Sequence, residues 1–210
     1  MNLEYDPETH RYLVDGKVVP SVTQLVAPLG ADLDEPDDML EGALDAATDR
    51  GTTMHAYIQH RLLGGDPEDF ELPSMYLPYA DAVELFLAEH TIVPIAIESP
   101  MAVQDFAGTP DLACVFDGRD AILDWKFVSQ IAKSKVGAQL GGYNVLCFAN
   151  GIFPEKLYAV QFLKTGEYRL YPVDEVYAGA AFSTCRDVYR LKTATHPRGR
   201  IFRKWGQDHD

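Results

Sequence analysis

Two short apolar segments, "LACVF" and "AILDWKF", stand on either side of the dipeptide Asp117-Gly118. An Asp-Gly pair between such segments is a strong signal for a β-hairpin. Side chains alternate between the two faces of a strand, so Asp124 and Lys126 lie side by side on one face. If the two strands pair through this turn, Asp111, which precedes the first of them, converges on Asp124. Because a buried charge has to be paired, neutralised or bound to a metal, these residues constrain the fold and indicate a site.

Two carboxylates beside a lysine form a pocket of hard oxygen ligands, which suits magnesium or manganese. For any such pair taken alone, a surface ion pair between Lys126 and an aspartate is the alternative. Other polar residues add to the pattern. Gln139 and Tyr143 present an amide and a phenol on one face of a predicted helix, and His55 follows Gly51 by four residues near the start of another. Taken singly, each of these fits an ordinary surface or core residue.

The remainder of the chain alternates between helical and strand patterns, as in α/β proteins. Alternating residues and the Asp15-Gly16 turn predict a small N-terminal β unit with a short helix over residues 1–29. An acidic, proline-marked loop is expected over 30–38. A helix is predicted over 37–65, with a break or fresh start near Gly51, and a second helix over 74–90. A meander of about four strands follows over 91–127, and then a helix over 134–151. The last elements are a hairpin around Thr165-Gly166 and a helix over 174–194 capped by Asp174. The sequence therefore predicts one α/β domain over 1–210, with a mixed central sheet flanked by helices and a basic tail over 186–210.

Charge is distributed unevenly along the chain, which carries 18 basic and 32 acidic residues and a net charge of −14. This excess of negative charge repels nucleic acids at long range and argues against a protein that coats them non-specifically. Residues 31–50 contain eight acids and one base, whereas residues 186–204 contain seven bases and one acid. A polyanion would therefore have to approach a local basic surface.

Cysteine spacing and hydrophobicity argue against several other classes of protein. Cys114, Cys147 and Cys185 lie far apart and lack the spacing of zinc or iron–sulfur ligands, so we expect them to pack in the core. No run of eighteen apolar residues is present, and the first residues lack the basic start and apolar stretch of a signal peptide. We expect a soluble intracellular protein without a membrane partner.

Four of these features occur in an order that resembles the PD-(D/E)xK nuclease superfamily, in particular its RecB-like and lambda-exonuclease-like branch. They are Gly51-x-x-x-His55, Gly108-Thr-Pro-Asp111, Asp124-Trp-Lys126 and Gln139-x-x-x-Tyr143. The N-terminal segment "YDPETHRYLVDGKVVPSVTQL" also resembles the leader of phage and prophage exonucleases of that branch. The resemblance covers residues 1–165 and implies a restriction-endonuclease-like core. The chain departs from the iron–sulfur members, because it lacks their cysteine cluster, and its overall charge is unusually acidic for a DNA enzyme.

The resemblance also implies a site for one or two Mg²⁺ or Mn²⁺ ions and no iron–sulfur cluster. Its protein ligands would be His55, Asp111, Asp124 and the backbone carbonyl of Trp125. Glu98, on the strand before the hairpin, would reach the metal directly or through water. A strand-end glutamate in solvent is an equally good interpretation of that residue.

Catalytic and binding roles follow from the same resemblance. Lys126 would orient or help deprotonate the attacking water and stabilise developing negative charge, while Gln139 and Tyr143 would position Lys126, the water or the phosphate. Because the site is itself negative, basic residues elsewhere would have to hold DNA. The candidates start the Gln139 helix or lie near the C-terminus: Lys133, Lys135, Arg186, Arg190, Lys192, Arg198, Arg200, Arg203 and Lys204. A solvated end is the alternative for the C-terminal group.

The implied function is that of a metal-dependent deoxyribonuclease, an exonuclease that processes double-stranded DNA ends in phage-type recombination or repair. Its implied partners are DNA and a single-strand annealing protein. Because lambda-type relatives form rings, a homo-oligomer is also an option. The implied location is the cytoplasm of a bacterial cell, with the gene carried by the host or by a phage. The alternatives are a structure-selective or nicking endonuclease, a module that binds nucleic acid without cutting, and a metal-dependent hydrolase of small substrates.

Overall fold

The fold is that of a computed structural model, which describes residues 1–7, 9–29 and 41–193 of the chain. The predicted acidic loop over 30–38 and the basic residues Arg198, Arg200, Arg203 and Lys204 lie outside this part. The described strands are β1 Leu3–Asp6, β2 Arg11–Val14, β3 Lys17–Val19, β4 Ile92–Ile97, β5 Met101–Val103, β6 Phe106–Gly108, β7 Leu112–Phe116, β8 Arg119–Lys126, β9 Lys156–Phe162 and β10 Tyr168–Val173. The described α-helices are α1 Val22–Val26, α2 Glu41–Leu62, α3 Leu77–Glu89, α4 Lys133–Ala149 and α5 Glu175–Thr193.

The central sheet contains five of these strands in the order β10-β9-β8-β7-β4. Strands β8 and β9 are parallel and joined through α4, whereas the other neighbouring pairs are antiparallel. The sheet is therefore mixed, as predicted. The β7–β8 hairpin turns at Asp117 and Gly118, which have φ angles of 47° and 83°. These left-handed conformations match the right-handed twist of paired strands, which explains why Asp-Gly occurs here.

Two helical layers cover the two faces of this sheet. Ile122 on β8 packs with residues of α1, α4 and α5, whereas Leu123 and Trp125 pack with residues of α2 and α3. The predicted alternation of β8 is therefore confirmed. Helices α4 and α5 approach closely, since a Cβ at Gly141 would lie 2.1 Å from the backbone oxygen of Ala178. This contact holds α4 against the sheet, next to the face that carries Asp124 and Lys126.

The predicted N-terminal β unit is present as a three-stranded antiparallel sheet in the order β1-β2-β3. Its second turn contains Asp15 and Gly16 with positive φ, and α1 begins at a capping box formed by Ser21 and Gln24. The unit connects to the β5–β6 hairpin through a hydrogen bond from the Ala107 amide to the Pro20 carbonyl. It therefore packs close to the chain that leads into Asp111.

Two predictions about secondary structure were wrong. Helix α2 runs through Gly51 without a break. A helical glycine costs about 1 kcal/mol, and burial of Met54, Tyr57 and Ile58 in the next turns offsets that cost. Strands β5 and β6 form a separate two-stranded sheet rather than part of one meander, and β7 pairs directly with β4.

The predicted cap of α5 and the predicted burial of the cysteines are confirmed. Pro78 lies in the first turn of α3, where its missing N–H removes no helical hydrogen bond, and Asp174 caps α5 by accepting from the Tyr177 amide at 2.7 Å. Cys114, Cys147 and Cys185 are free and buried. In the part of the chain described by the structure, no helix is long and apolar enough to cross a membrane.

Candidate active site

Asp111 and Asp124 converge because β7 and β8 pair in a defined register. Leu112 lies opposite Leu123, which places Asp111 opposite Asp124 one position further along the ladder. Both side chains are buried, with 6% and 0% of their surface exposed. Oδ2 of Asp111 accepts a hydrogen bond of 2.7 Å from the backbone amide of Trp125. The convergence expected from the sequence is therefore present in the fold.

Lys126 provides the counter-charge to Asp124. Its Nζ lies 2.5 Å from Oδ2 of Asp124, within the same strand and on the same face. Oδ1 of Asp124 has no hydrogen-bond donor among the residues that the structure describes. A buried carboxylate oxygen without a donor is costly in a protein interior, and coordination of a cation removes that cost. This oxygen therefore fits the presence of a metal ion.

A second group of ligand atoms lies beside Asp111. His55 from α2, Glu98 from the end of β4 and Asp111 each offer one atom, and these atoms lie within 4.8 Å of one another. Nδ1 of His55 is 2.9 Å from Oε1 of Glu98 and 3.7 Å from Oδ1 of Asp111. Glu98 has a φ of 42°, an uncommon conformation for a glutamate that turns its side chain toward His55. One imidazole and two carboxylates form a set that binds a divalent cation such as Mn²⁺ or Mg²⁺.

Burial and mutual repulsion perturb the acids of this site. Burial raises the pKa of Asp124 to about 6, because the charge of Lys126 offsets burial only in part and the charge of Asp111 adds to the rise. Burial likewise raises the pKa of Asp111. Burial lowers the pKa of His55, but Asp111 and Glu98 outweigh it and raise the value to about 9. The metal-free site is thus short of positive charge, which His55 supplies by holding a proton.

The pKa of Lys126 is raised as well. Burial opposes its charge, and the carboxylates of Asp124 and Asp111 more than compensate. The ammonium also donates to Oε1 of Gln139 at 3.2 Å, and Nε2 of Gln139 donates to the hydroxyl of Tyr143 at 2.9 Å. Gln139 and Tyr143 lie one turn apart on α4, as the spacing predicted. The helix therefore gives Lys126 a second partner besides Asp124.

The side chain and the backbone of Trp125 make different contacts. Its indole ring packs against Phe86 on the opposite face of the sheet, and its backbone amide binds Asp111. Its carbonyl as a metal ligand stays a prediction. The amide contact is a role that the motif did not indicate, because it arises from cross-strand register.

Two further contacts around the site were missed by sequence reasoning. The hydroxyls of Tyr12 and Thr109 are 2.8 Å apart, which ties the N-terminal β unit to the segment before Asp111. Nε of Arg50 donates to the carbonyl of Phe127 at 2.9 Å, and this contact anchors the end of β8 to α2. Thr109 belongs to the Gly-Thr-Pro-Asp motif, whereas Arg50 carried no signal beyond its position before Gly51.

A groove leads to His55 and Glu98 and has a volume of about 670 Å³. Its walls come from the N-terminal β unit and from α2, and its floor includes Glu98 and Thr109. His55 opens into this groove. The site is therefore accessible to a ligand of nucleotide size.

The basic residues expected to bind DNA divide into two groups. Lys133 is exposed and Lys135 half-buried at the start of α4, one to two turns before Gln139. Arg186 and Arg190 instead converge on Asp105, each with a nitrogen 2.6 Å from Oδ2. This cluster attaches the turn between β5 and β6 to α5. DNA binding by any of the four stays a prediction.

Comparison with solved structures finds likenesses to exonucleases. The alkaline exonuclease LHK-Exo from Laribacter hongkongensis is 12% identical with a TM-score of 0.37, covering 83% of this chain and 91% of that one. LHK-Exo in complex with dAMP gives 11% identity and a TM-score of 0.39 over 83% and 88% of the two chains. A phage-related exonuclease from Haemophilus somnus 129PT gives 12% identity and a TM-score of 0.37 over 84% and 96%. No family model and no curated protein matches the chain.

Proposed function

We propose that this protein is a metal-dependent deoxyribonuclease of the PD-(D/E)xK superfamily that hydrolyses phosphodiester bonds at double-stranded DNA ends. The observation that carries the proposal is the fully buried Asp124, whose Oδ1 has no donor among the described residues, beside Asp111 and Lys126. Two desolvated acids at this position would repel a phosphate. They become useful when a divalent cation joins them to it.

The donor atoms fit Mg²⁺ or Mn²⁺. Asp111, Asp124 and His55 would hold one or two ions, with Glu98 and the Trp125 carbonyl as further ligands. Such a cation supplies Lewis acidity toward a phosphate oxygen and lowers the pKa of a bound water. The Trp125 amide orients Asp111, because it occupies Oδ2 and leaves Oδ1 directed to His55.

Lys126 places a proton donor next to the acids. An ammonium has three N–H donors, and Asp124 and Gln139 occupy two of them. The third is available to a phosphate oxygen or to the attacking water. Gln139 keeps Lys126 from turning away, and its own amide is held by Tyr143. This arrangement supports Lys126 in transition-state stabilisation and water positioning.

The biological setting belongs to the same proposal. We place the enzyme in phage-type recombination or repair in the bacterial cytoplasm. There it would act as an exonuclease together with a single-strand annealing protein, either as a monomer or as a homo-oligomer. The whole chain would form one nuclease domain. A structure-selective or nicking endonuclease is the alternative with the same chemistry. A module that only binds nucleic acid is less well supported, because it gains nothing from two buried acids at a phosphate site.

The test is degradation of an end-labelled linear duplex and a closed circular duplex with Mg²⁺, with Mn²⁺ and with chelator. Wild type is compared with Asp124→Ala, Lys126→Ala and Asp69→Asn, the last of which changes an exposed acid in the turn at 67–69. We expect metal-dependent loss of the linear duplex alone in wild type and Asp69→Asn, and no loss in the other two. Cleavage of the circle would indicate an endonuclease. Equal binding by all variants without any cleavage would overturn the proposal.

A further inference from the structure

The groove beside the metal-binding residues has one aromatic wall. Its lining comes from Tyr5 and His10 of the N-terminal β unit, from Thr52, His55 and Gln59 on one face of α2, and from a floor that includes Glu98. Its volume of about 670 Å³ is in the range that holds a nucleotide. The metal-binding pair His55 and Glu98 marks the end at which a phosphate would be placed. The rest of the groove has no part in the chemistry described above.

The charge of the residues that line the groove indicates which part of a nucleotide fits into it. Among the lining residues in the described part of the chain, none is lysine or arginine. A phosphate away from the metal would therefore meet no fixed positive side chain. An uncharged group that presents a flat ring and hydrogen-bonding edges fits better. Thr52 and Gln59 lie one turn on either side of His55 and offer hydroxyl and amide groups to such an edge.

Tyr5 is held in place by Tyr12, which is not among the residues that line the groove. Its ring stacks on that of Tyr12 with a centroid distance of 4.7 Å and an interplanar angle of 24°. Tyr12 is buried and its hydroxyl contacts Thr109, two residues before Asp111. The Tyr5 hydroxyl also lies 3.2 Å from Nδ1 of His10, a residue held at a φ of 49°. The aromatic wall is thus coupled to the catalytic strand rather than to a free loop.

We propose that Tyr5 stacks against the nucleobase of the terminal nucleotide and thereby positions the chain end for hydrolysis. The inference rests on the proposed function, because it assigns the end of DNA to the groove. Aromatic stacking on a base tolerates every sequence, since each base has a flat π-face. The contribution of such a contact corresponds to about tenfold in kcat/KM. Tyr5 is therefore assigned as a residue that recognises the substrate end without reading its sequence.

The test combines protein and substrate variants. Hydrolysis is measured on a linear duplex with an ordinary terminal nucleotide and on one whose terminal nucleotide is abasic, in the strand that the enzyme degrades. We expect wild type and Tyr5→Phe to lose about tenfold in kcat/KM on the abasic end, whereas Tyr5→Leu shows little difference between the two substrates. Tyr177→Leu, which changes a half-exposed tyrosine outside the groove, should behave as wild type.

The ratio between substrates separates recognition from a structural effect. A variant that only lost folded protein would lower both rates by the same factor and keep the ratio. If Tyr5→Leu discriminates against the abasic end as strongly as wild type does, the assignment of Tyr5 is wrong although the enzyme is a nuclease. If wild type hydrolyses neither duplex, the proposed function itself is overturned and the assignment falls with it. Terminal 2-aminopurine provides a second readout, since its fluorescence should be quenched by wild type and Tyr5→Phe but not by Tyr5→Leu.

Discussion

The ammonium nitrogen of Lys126 lies 2.5 Å from Oδ2 of Asp124, a side chain with no surface exposed to solvent. Asp124 leaves water completely and Lys126 largely when the protein folds, so without a metal each charge depends on the other. The same pair connects Asp124 on β8 to Gln139 on α4. The proposed catalytic arrangement is therefore also a feature on which stability depends.

Removal of Lys126 should destabilise the metal-free protein strongly. Lys126→Met leaves Asp124 buried and unpaired, and loss of one partner from a buried pair costs about 3–5 kcal/mol. Adding Asp124→Asn to Lys126→Met should restore part of that loss, because the unpaired charge disappears. Urea unfolding with chelator at pH 8, above the wild-type Asp124 pKa of about 6, measures both. Additive effects of the two substitutions would show that the pair is not coupled.

A divalent cation should raise the melting temperature of wild type. The ion relieves repulsion among Asp111, Asp124 and Glu98 and binds the folded state only. At a concentration one hundred times its Kd, such binding adds about 2.7 kcal/mol to the free energy of unfolding. Asp111→Asn should lose the shift, whereas Asp69→Asn should keep it because that acid is exposed and far from the site in sequence. Differential scanning fluorimetry across a Mn²⁺ titration gives the result. The same shift in Asp111→Asn would place the ion elsewhere.

Gln139 should act on turnover more than on binding. Gln139→Leu removes the acceptor that holds Lys126, and we expect kcat to fall about 10- to 100-fold with a small change in KM, as for other residues that orient active-site groups. Tyr143→Phe should have a smaller effect, because Gln139 remains in place. Steady-state kinetics on a linear duplex, with the pH profile of kcat, distinguish the two. An unchanged pH profile together with lower folded stability would indicate a structural role only.

Lys133 and Arg186 should differ in their effect on DNA affinity. Lys133 is exposed, so Lys133→Met should weaken binding and reduce the slope of log K against log salt by about 0.9. Arg186 is bound to Asp105, so Arg186→Met should lower stability and leave that slope unchanged. Fluorescence anisotropy of labelled DNA, at salt concentrations from about 50 to 200 mM, measures the affinity and its slope. A reduced slope in Arg186→Met would assign the arginine to DNA.

The Asp105 cluster should make stability depend on pH at the acid end. Burial works against the charge of Asp105, but Arg186 and Arg190 outweigh it and lower its pKa. A lowered folded-state pKa stabilises the protein above the unfolded value of about 3.9, and the contribution is lost as pH falls through the folded value. The stability difference between wild type and Asp105→Asn should therefore be full at pH 7 and decline below about pH 4. Asp187→Asn, an exposed acid 3.6 Å from Arg190, is the matched control and should show little difference.

Local sequence pattern was sufficient for the parts of the site that lie on one element or one hairpin. Alternation on β8 put Asp124 beside Lys126, the Asp117-Gly118 turn brought Asp111 opposite Asp124, and helical spacing aligned Gln139 with Tyr143. These relationships depend on pleat, turn geometry and helical pitch, which extend over a few residues. They are therefore contained in the sequence of each segment.

Relationships between distant segments depended on packing. Whether Glu98 faces solvent or His55, whether α2 breaks at Gly51, and where the β5–β6 hairpin leaves the central sheet were each set by the layer against which the segment packs. The groove between Tyr5 and α2 likewise joins residues about fifty positions apart. Burial energy is summed over all neighbours of a side chain, so the pattern of one segment does not contain it. The residue types of the candidate site were thus evident from the sequence, whereas the way they assemble and the groove beside them required the three-dimensional fold.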